Sequence, residues 1–258
     1  MLKKNSIKQA FANAASSYDH VASLQRQVGS QLLTMIDCSL LQGLVMDLGS
    51  GTGFLTRELL TANSELQLIA LDLALPMLEI ARHKQDAQQI RYLCADAERL
   101  PVMTHSLDTV CSNLALQWCF PLGKVLAELK RVLKPEGQLL FSTFGSQTLQ
   151  ELKIAWSEVD NYRHVNEFYH QNELLQILQE AGFKQIQLDC QVYLSNYDRV
   201  LSLLKELQLL GADQVMDGRN PQVTTKTRLQ AMLASYEQFR NEQGIPATFE
   251  VFKVVAKA

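Results

Sequence analysis

The chain has 258 residues, 47% of them hydrophobic, enough to bury a full core as one large α/β domain or as one domain carrying an insertion. A net charge of −3 argues against a nucleic-acid binder, and no apolar run approaches the roughly 20 residues of a membrane span. Cys38, Cys94, Cys111, Cys119 and Cys190 form no C-x-x-C pair and lack a histidine at metal-ligand spacing, which excludes the usual zinc and disulfide frameworks and suits reduced thiols.

The N-terminal residues Met1-Leu2-Lys3-Lys4-Asn5 lead into no signal-peptide apolar stretch, so a cytoplasmic protein is expected. Residues 7–37 read as helix, broken near Ser16-Ser17-Tyr18-Asp19. Strands then alternate with helices: strands at 44–48, 67–72, 90–95, 107–113 and 137–143, helices at 54–62, 76–84 and 121–133. Pro76 and Pro121 suit the first turns of their helices, and Lys134-Pro135-Glu136-Gly137 is a turn. This alternation predicts a doubly wound, mostly parallel sheet with helices on both faces. Beyond it come a helix at 148–157, a polar stretch at 160–170, a helix at 172–181 closed by Gly182, and a strand at 184–193. Helices at about 197–210 and 225–242 follow, and the closing strand is 248–256. Residues 1–42 are thus an N-terminal helical extension, and 194–247 a helical insertion before the last strand, within a single domain spanning 1–258.

Residues 44–53, Leu-Val-Met-Asp-Leu-Gly-Ser-Gly-Thr-Gly, run from a buried strand through a glycine turn to a helix start. Such a turn lets the backbone bend sharply and a ligand approach closely. The glycines fall at G-x-G-x-G. A dinucleotide fingerprint would be G-x-G-x-x-G, and Phe54 stands where its third glycine belongs. Asp72 ends the next apolar run, nineteen residues after Gly53, where a carboxylate can accept from both hydroxyls of a ribose. Ligands of open α/β sheets sit beyond the carboxyl ends of the strands. Gly49, Ser50, Gly51 and Gly53 lie at the first end, Asp72, Leu73 and Met77 at the second, Asp96 and Ala97 at the third, Asn113 and Leu114 at the fourth. Asp96 and Ala97 could meet the edge of an adenine that Leu73 and Met77 sandwich. The alternative is that Asp96 caps a turn and Asn113 only shapes one.

The glycine run with Asp72 resembles motif I and the following acidic residue of class I S-adenosylmethionine methyltransferases. Leu71-Asp72-Leu73, Met77-Leu78 and Leu133-Lys134-Pro135-Glu136-Gly137 extend that resemblance over 46–143. The flanks are similar to a narrower family, the malonyl-acyl carrier protein O-methyltransferases of biotin synthesis. The similar segments are Phe11 to Asp19, Leu24-Gln25-Arg26-Gln27, Ser112 to Cys119, Ala155 to Asp160, His164-Val165-Asn166, Leu210-Gly211-Ala212 and Asp217-Gly218-Arg219. The resemblance covers about residues 8–256. It implies a Rossmann-like seven-stranded fold, S-adenosylmethionine as cofactor, and methylation of the free carboxylate of a malonyl group on an acidic carrier protein. A monomer that binds neither nucleic acid nor membrane is expected.

A carboxylate acceptor is ionised at neutral pH and needs no general base, so the protein's task is alignment and exclusion of water. The N-terminal helices and the insertion are the expected lid. Tyr18, at the helix break, is the candidate catalytic residue; it could instead only pack the helices. Gln117 and Trp118 are placed facing the methyl group, with Trp118 as core the alternative. His164 is a substrate-side candidate in a polar loop, or a surface residue. Arg219, in a loop, is the candidate for pairing with a carboxylate or phosphate. Other readings are a class I methyltransferase acting on a quinone or a free carboxylic acid, and a cofactor-binding regulatory module without turnover.

Overall fold

The computed structural model describes residues 2–85, 87–212, 215 and 224–258. Three helices open the chain, α1 (Leu2–Ala14), α2 (Tyr18–Val21) and α3 (Ser23–Leu33). The alternating core follows: β1 (Leu44–Leu48), α4 (Phe54–Ala62), β2 (Gln67–Asp72), α5 (Leu75–Lys84), β3 (Ile90–Cys94), β4 (Leu107–Asn113), α6 (Leu122–Val132) and β5 (Leu133–Phe144). The second half adds α7 (Gln150–Ser157), α8 (Gln171–Glu180), β6 (Lys184–Tyr197), α9 (Val200–Leu209), α10 (Lys226–Tyr236) and β7 (Ile245–Lys257).

The seven strands form one sheet in the order β3-β2-β1-β4-β5-β7-β6. The pairs from β3 through β5 are parallel, and β7 runs antiparallel to both of its neighbours. The expected mostly parallel, doubly wound sheet is therefore the observed one. Its strand order reverses between β1 and β4, the place where open α/β sheets bind ligands.

Packing explains the elements. In α6 the buried side chains Leu122, Val125, Leu126, Leu129 and Val132 recur at helical spacing and form one stripe against the sheet. Residues 45–48 of β1 are all buried, as befits a strand covered on both faces. Gly182, at φ +84°, closes α8: Phe183 N–H reaches back to Leu178 O at 3.1 Å.

Several boundaries differ from the sequence pattern. The turn expected at 134–137 lies inside β5 as an irregularity, with Leu107 opposite Leu133, Thr109 opposite Gln138, and Glu136 at φ +63°. Pro121 precedes its helix in extended conformation instead of opening its first turn. β6 continues to Tyr197 because Leu194 to Tyr197 pair with Thr248 back to Ile245, so β7 also starts earlier than expected. The helices of the insertion thus begin at Val200, and α10 ends at Tyr236, not near 242.

α10 packs on α7, where fully buried Met232 and Tyr236 join Leu152, Ala155 and Trp156 in one apolar cluster. The N-terminal helices touch the same region. Ser17 Oγ donates to Leu209 O at 3.1 Å. A Cβ on Gly211 would stand 3.0 Å from the Ala10 backbone. The two segments outside the alternating core therefore meet above the carboxyl ends of the strands.

Candidate functional site

The glycine turn is built around a carboxylate. Gly49 and Ser50 N–H both donate to Leu71 O, at 2.8 and 2.9 Å, and Gly51 N–H donates to Asp72 Oδ2 at 2.9 Å. Gly49, Gly51 and Gly53 have φ of +71°, +52° and +82°, the left-handed region that favours glycine. Their surroundings differ. A Cβ on Gly49 would stand 2.3 Å from Ala115 Cβ, whereas one on Gly51 would meet nothing within 4 Å. Gly51 therefore borders open space. The Gly53 Cβ position is 3.0 Å from Ala81 Cβ, so Gly53 lets α4 approach α5.

A cleft lies over this turn. Its walls include Gly49, Gly51, Asp72, Leu73, Met77 and Leu114. Tyr18, Asp96, Ala97, Asn113 and Trp118 also face it. Asp72 takes a second backbone bond, from Ala74 N–H to Oδ1 at 2.8 Å. Each oxygen keeps a further lone pair, so the carboxylate can still accept from two hydroxyls. Burial pushes its pKa up, against these backbone bonds. The Tyr18 phenol is pushed up by burial and by the nearby Asp72 and Asp19 charges, so it stays a protonated donor.

A side recess continues the cleft, lined by Tyr18, Arg26, Asp47, Ser50, Thr52 and Asn113 among others. Arg26 is the one cation among its described lining residues. Ser50 Oγ and Gln25 Oε1 border it, buried and without hydrogen-bond partners among the described residues. Buried polar atoms are ordinarily paired. Asp47, on the recess floor, is driven up to about 7 by burial, with the Asp72 charge adding and the Thr56 hydrogen bonds opposing.

A second chamber, of about 290 Å³, adjoins through Trp118, which lines both. Gln117, Phe144, Trp156, His164 and Phe168 are among its walls. Gln117 Nε2 donates to Leu114 O at 2.6 Å, which leaves its buried Oε1 without a partner among the described residues. His164 is 13% exposed in its side chain, stacked on Trp156, and so is no surface residue.

The cleft and its side recess are roofed by α1 and α2. Lys4 pairs with Asp96 at 2.7 Å and with Glu98 at 2.5 Å, and the Phe11 ring meets Trp118 edge-on at 5.4 Å. Burial opposes ionisation of Asp96, but the Lys4 hydrogen bond holds its carboxyl below the usual range. Asp19 accepts from Thr52 Oγ1 at 2.7 Å and pairs with Lys84, tying α2 to the glycine turn and to α5.

A family model described as a methyltransferase domain matches residues 46–141. The malonyl-[acyl-carrier protein] O-methyltransferase of Gallionella capsiferriformans (strain ES-2) is 37% identical over 259 residues, covering 97% of this chain and 89% of that one. The chain belongs to the malonyl-acyl carrier protein O-methyltransferase family. The biotin biosynthesis bifunctional protein BioHC of Cellvibrio japonicus (strain Ueda107) is 42% identical over 257 residues, 98% of this chain and 50% of that protein. The chain thus spans about half the length of that bifunctional relative. Among solved structures, phosphoethanolamine N-methyltransferase 2 of Haemonchus contortus, in complex with S-adenosyl-L-methionine, shares the fold. The TM-score is 0.59 at 19% identity, covering 95% of this chain and 57% of that one.

Within this family member the predicted residues divide between the cavities. Gly49, Gly51, Asp72, Leu73, Met77, Asp96, Ala97, Asn113, Leu114 and Tyr18 border the cleft, and Ser50 the recess. Gln117 and His164 border the second chamber, with Trp118 common to both. Gly53 lines none of the three. Asn113 faces the cleft with its carboxamide engaged: Nδ2 donates to Gln25 O at 2.8 Å and Oδ1 accepts from Ser142 Oγ at 2.7 Å. It pins α3 to the sheet. Arg219 lies outside the described residues. Sequence reasoning did not single out Lys4, Asp19, Arg26 or Asp47 as functional. Arg26 sat in a quoted family segment and Asp47 in the glycine-turn strand, whereas nothing in the sequence links Lys4 to Asp96.

Proposed function

We propose that this protein transfers the methyl group of S-adenosylmethionine to the free carboxylate of malonyl-acyl carrier protein. The observation that carries the reading is the shared Trp118 wall. A cofactor in the cleft and an acyl group in the second chamber would meet beside that one side chain. The names of relatives that match nearly the whole chain support this choice of acceptor.

The residues present fit the cofactor. Asp72 would take the ribose hydroxyls, and Leu73 with Met77 would flank the adenine. Asp96, now paired with Lys4, would share its carboxylate with the exocyclic amine, beside the backbone N–H of Ala97. Arg26 and the Ser50 hydroxyl would hold the amino-acid carboxylate, and Asp47 would face its ammonium. When bound, S-adenosylmethionine supplies an electrophilic methyl whose bond to sulfur breaks as an acceptor carboxylate oxygen forms the new bond, leaving a thioether and an ester.

No proton moves, so the side chains need only orient and dehydrate. Tyr18 closes the cleft with a protonated hydroxyl. The N-terminal helices and the insertion form a lid that excludes water while opposite charges vanish. The enzyme works in the cytoplasm.

Mass spectrometry tests the reading. Malonyl-acyl carrier protein incubated with the protein and S-adenosylmethionine gains one methyl on the malonyl group, and acetyl-acyl carrier protein gains none. No gain, with cofactor binding verified separately, would overturn the assigned acceptor.

A further inference from the structure

The second chamber contains an arrangement that the methyl-transfer reading does not require. His164 lies flat on Trp156, with ring centroids 3.6 Å apart and planes 4° apart. Its Nε2 faces Asp160 Oδ1 at 2.9 Å. Asp160 is itself fixed: Oδ1 also accepts from Tyr162 N–H at 3.0 Å, and the side chain is only 8% exposed. Burial opposes its ionisation, but the His164 hydrogen bond and the Tyr162 amide hold the carboxyl below its usual range. Asp160 Oδ2 is buried without a hydrogen-bond partner among the described residues, with Arg228 at 3.9 Å.

Both neighbours of the ring suit a cation. A carboxylate hydrogen-bonds Nε2 and an indole lies against its face. Nδ1 of His164 has no partner among the described residues. His164 is also the one side chain able to carry positive charge among the chamber's described walls. The other ionisable wall, Glu206, accepts from Tyr197 Oη at 2.9 Å, and burial pushes its pKa up.

We infer that the Asp160–His164 pair is the receptor for the anionic terminus of the acyl substrate. His164 binds one carboxylate oxygen through a charge-assisted hydrogen bond and leaves the other free to take the methyl group. Asp160 is a positioning residue, which orients the ring and balances its charge. This assignment rests on the proposed function and deepens it, because it makes the pair the element that separates a malonyl group from uncharged acyl groups. Once the ester forms, the charge that held the substrate is gone, and the product is released in preference to a fresh substrate.

The test is steady-state kinetics of the full chain with malonyl-acyl carrier protein, joined to competition by its methyl ester. His164→Gln keeps a polar side chain of similar size and cannot carry charge. It should raise KM roughly tenfold to a hundredfold, the size of a hydrogen bond to a charged group, with a smaller change in kcat. The wild type should bind the acid more tightly than the ester, and the variant should bind both alike. Asp160→Asn retains an accepting oxygen without the charge and should move KM in the same direction by less. S-adenosylhomocysteine affinity should match the wild type in both. An unchanged KM in both variants would overturn the assignment. So would a parallel loss of cofactor affinity and thermal stability, as a purely structural histidine would give. A wild type that methylates no malonyl thioester would instead overturn the proposed function, and this assignment with it.

Discussion

Asp47→Asn isolates the cost of keeping a carboxyl under the cofactor turn. Asp47 is 1% exposed and accepts from Thr56 Oγ1 at 2.6 Å, a bond that an asparagine oxygen can also accept. Its carboxyl is raised from the ordinary 3.8 to about 7, chiefly by burial. An acid whose folded pKa is raised contributes stability that is full below the unfolded value and lost as pH rises through the folded one. Between those limits the folded protein holds a proton that the unfolded chain has released, so stability falls with pH. At ~1.4 kcal/mol per pH unit, the gap from 3.8 to about 7 corresponds to an upper bound of about 4 kcal/mol. Urea unfolding of wild type and variant between about pH 5 and pH 8 reads this directly, because other titrating groups cancel in the difference. The stability of the variant relative to the wild type should grow by about 3 kcal/mol over this range, with equal m-values. A difference that stays constant with pH would show that Asp47 is ionised throughout, and the argument from burial would fail.

The same group should appear in cofactor binding. Calorimetry should find S-adenosylmethionine bound more tightly by the wild type as pH rises through about 7, and this trend should be absent in Asp47→Asn. Asp72→Ala removes two acceptors for ribose hydroxyls and should weaken S-adenosylhomocysteine at least roughly tenfold; unchanged affinity would refute the ribose assignment. Gly49→Ala adds a methyl 2.3 Å from Ala115 Cβ at a φ of +71°, so its melting temperature and cofactor affinity should both fall. Lys4→Ala breaks pairs in which Lys4 is 33% exposed, so global stability should change by about 1 kcal/mol or less, while cofactor release becomes faster in a stopped-flow experiment.

Local chemistry decided how much was legible in the sequence. β1, β2 and β4 occupy the expected residues because each is a short apolar run bounded by strong signals: the glycine turn after Leu48, Asp72 after Leu71, and Asn113 after Ser112. The end of β6 was hidden because residues 194–197 are held by main-chain pairing with β7, which side-chain pattern does not report. The cleft could be predicted because four strand ends carry its groups in chain order. The roof could not. Lys4 meets Asp96 across 92 positions and Asp19 meets Thr52 across 33, and single charged residues carry no period that foretells a partner. His164 stood in a polar stretch that reads as surface. It is covered because Trp156 lies one face below it and Asp160 turns back from the end of α7.

Floor and roof of the site are held by different physics, and that difference fits the proposed chemistry. The floor uses buried bonds, Thr56 Oγ1 to Asp47 and Ser112 Oγ to Leu48 O at 2.8 Å. Breaking either of these would leave a polar group dry, which costs more than the bond contributes. The roof uses partly exposed ion pairs, Lys4 with Asp96 and Lys84 with Asp19, whose individual worth is small and falls with salt. Parting the roof therefore exposes groups that water can satisfy, while the floor keeps its geometry. A site that joins two oppositely charged reactants needs both properties. It must open to admit a cation and an acyl arm, and it must close without rebuilding the surface that aligns them. The Phe11–Trp118 contact couples the two, because the side chain that borders both the cleft and the second chamber is also the one that the N-terminal helix meets.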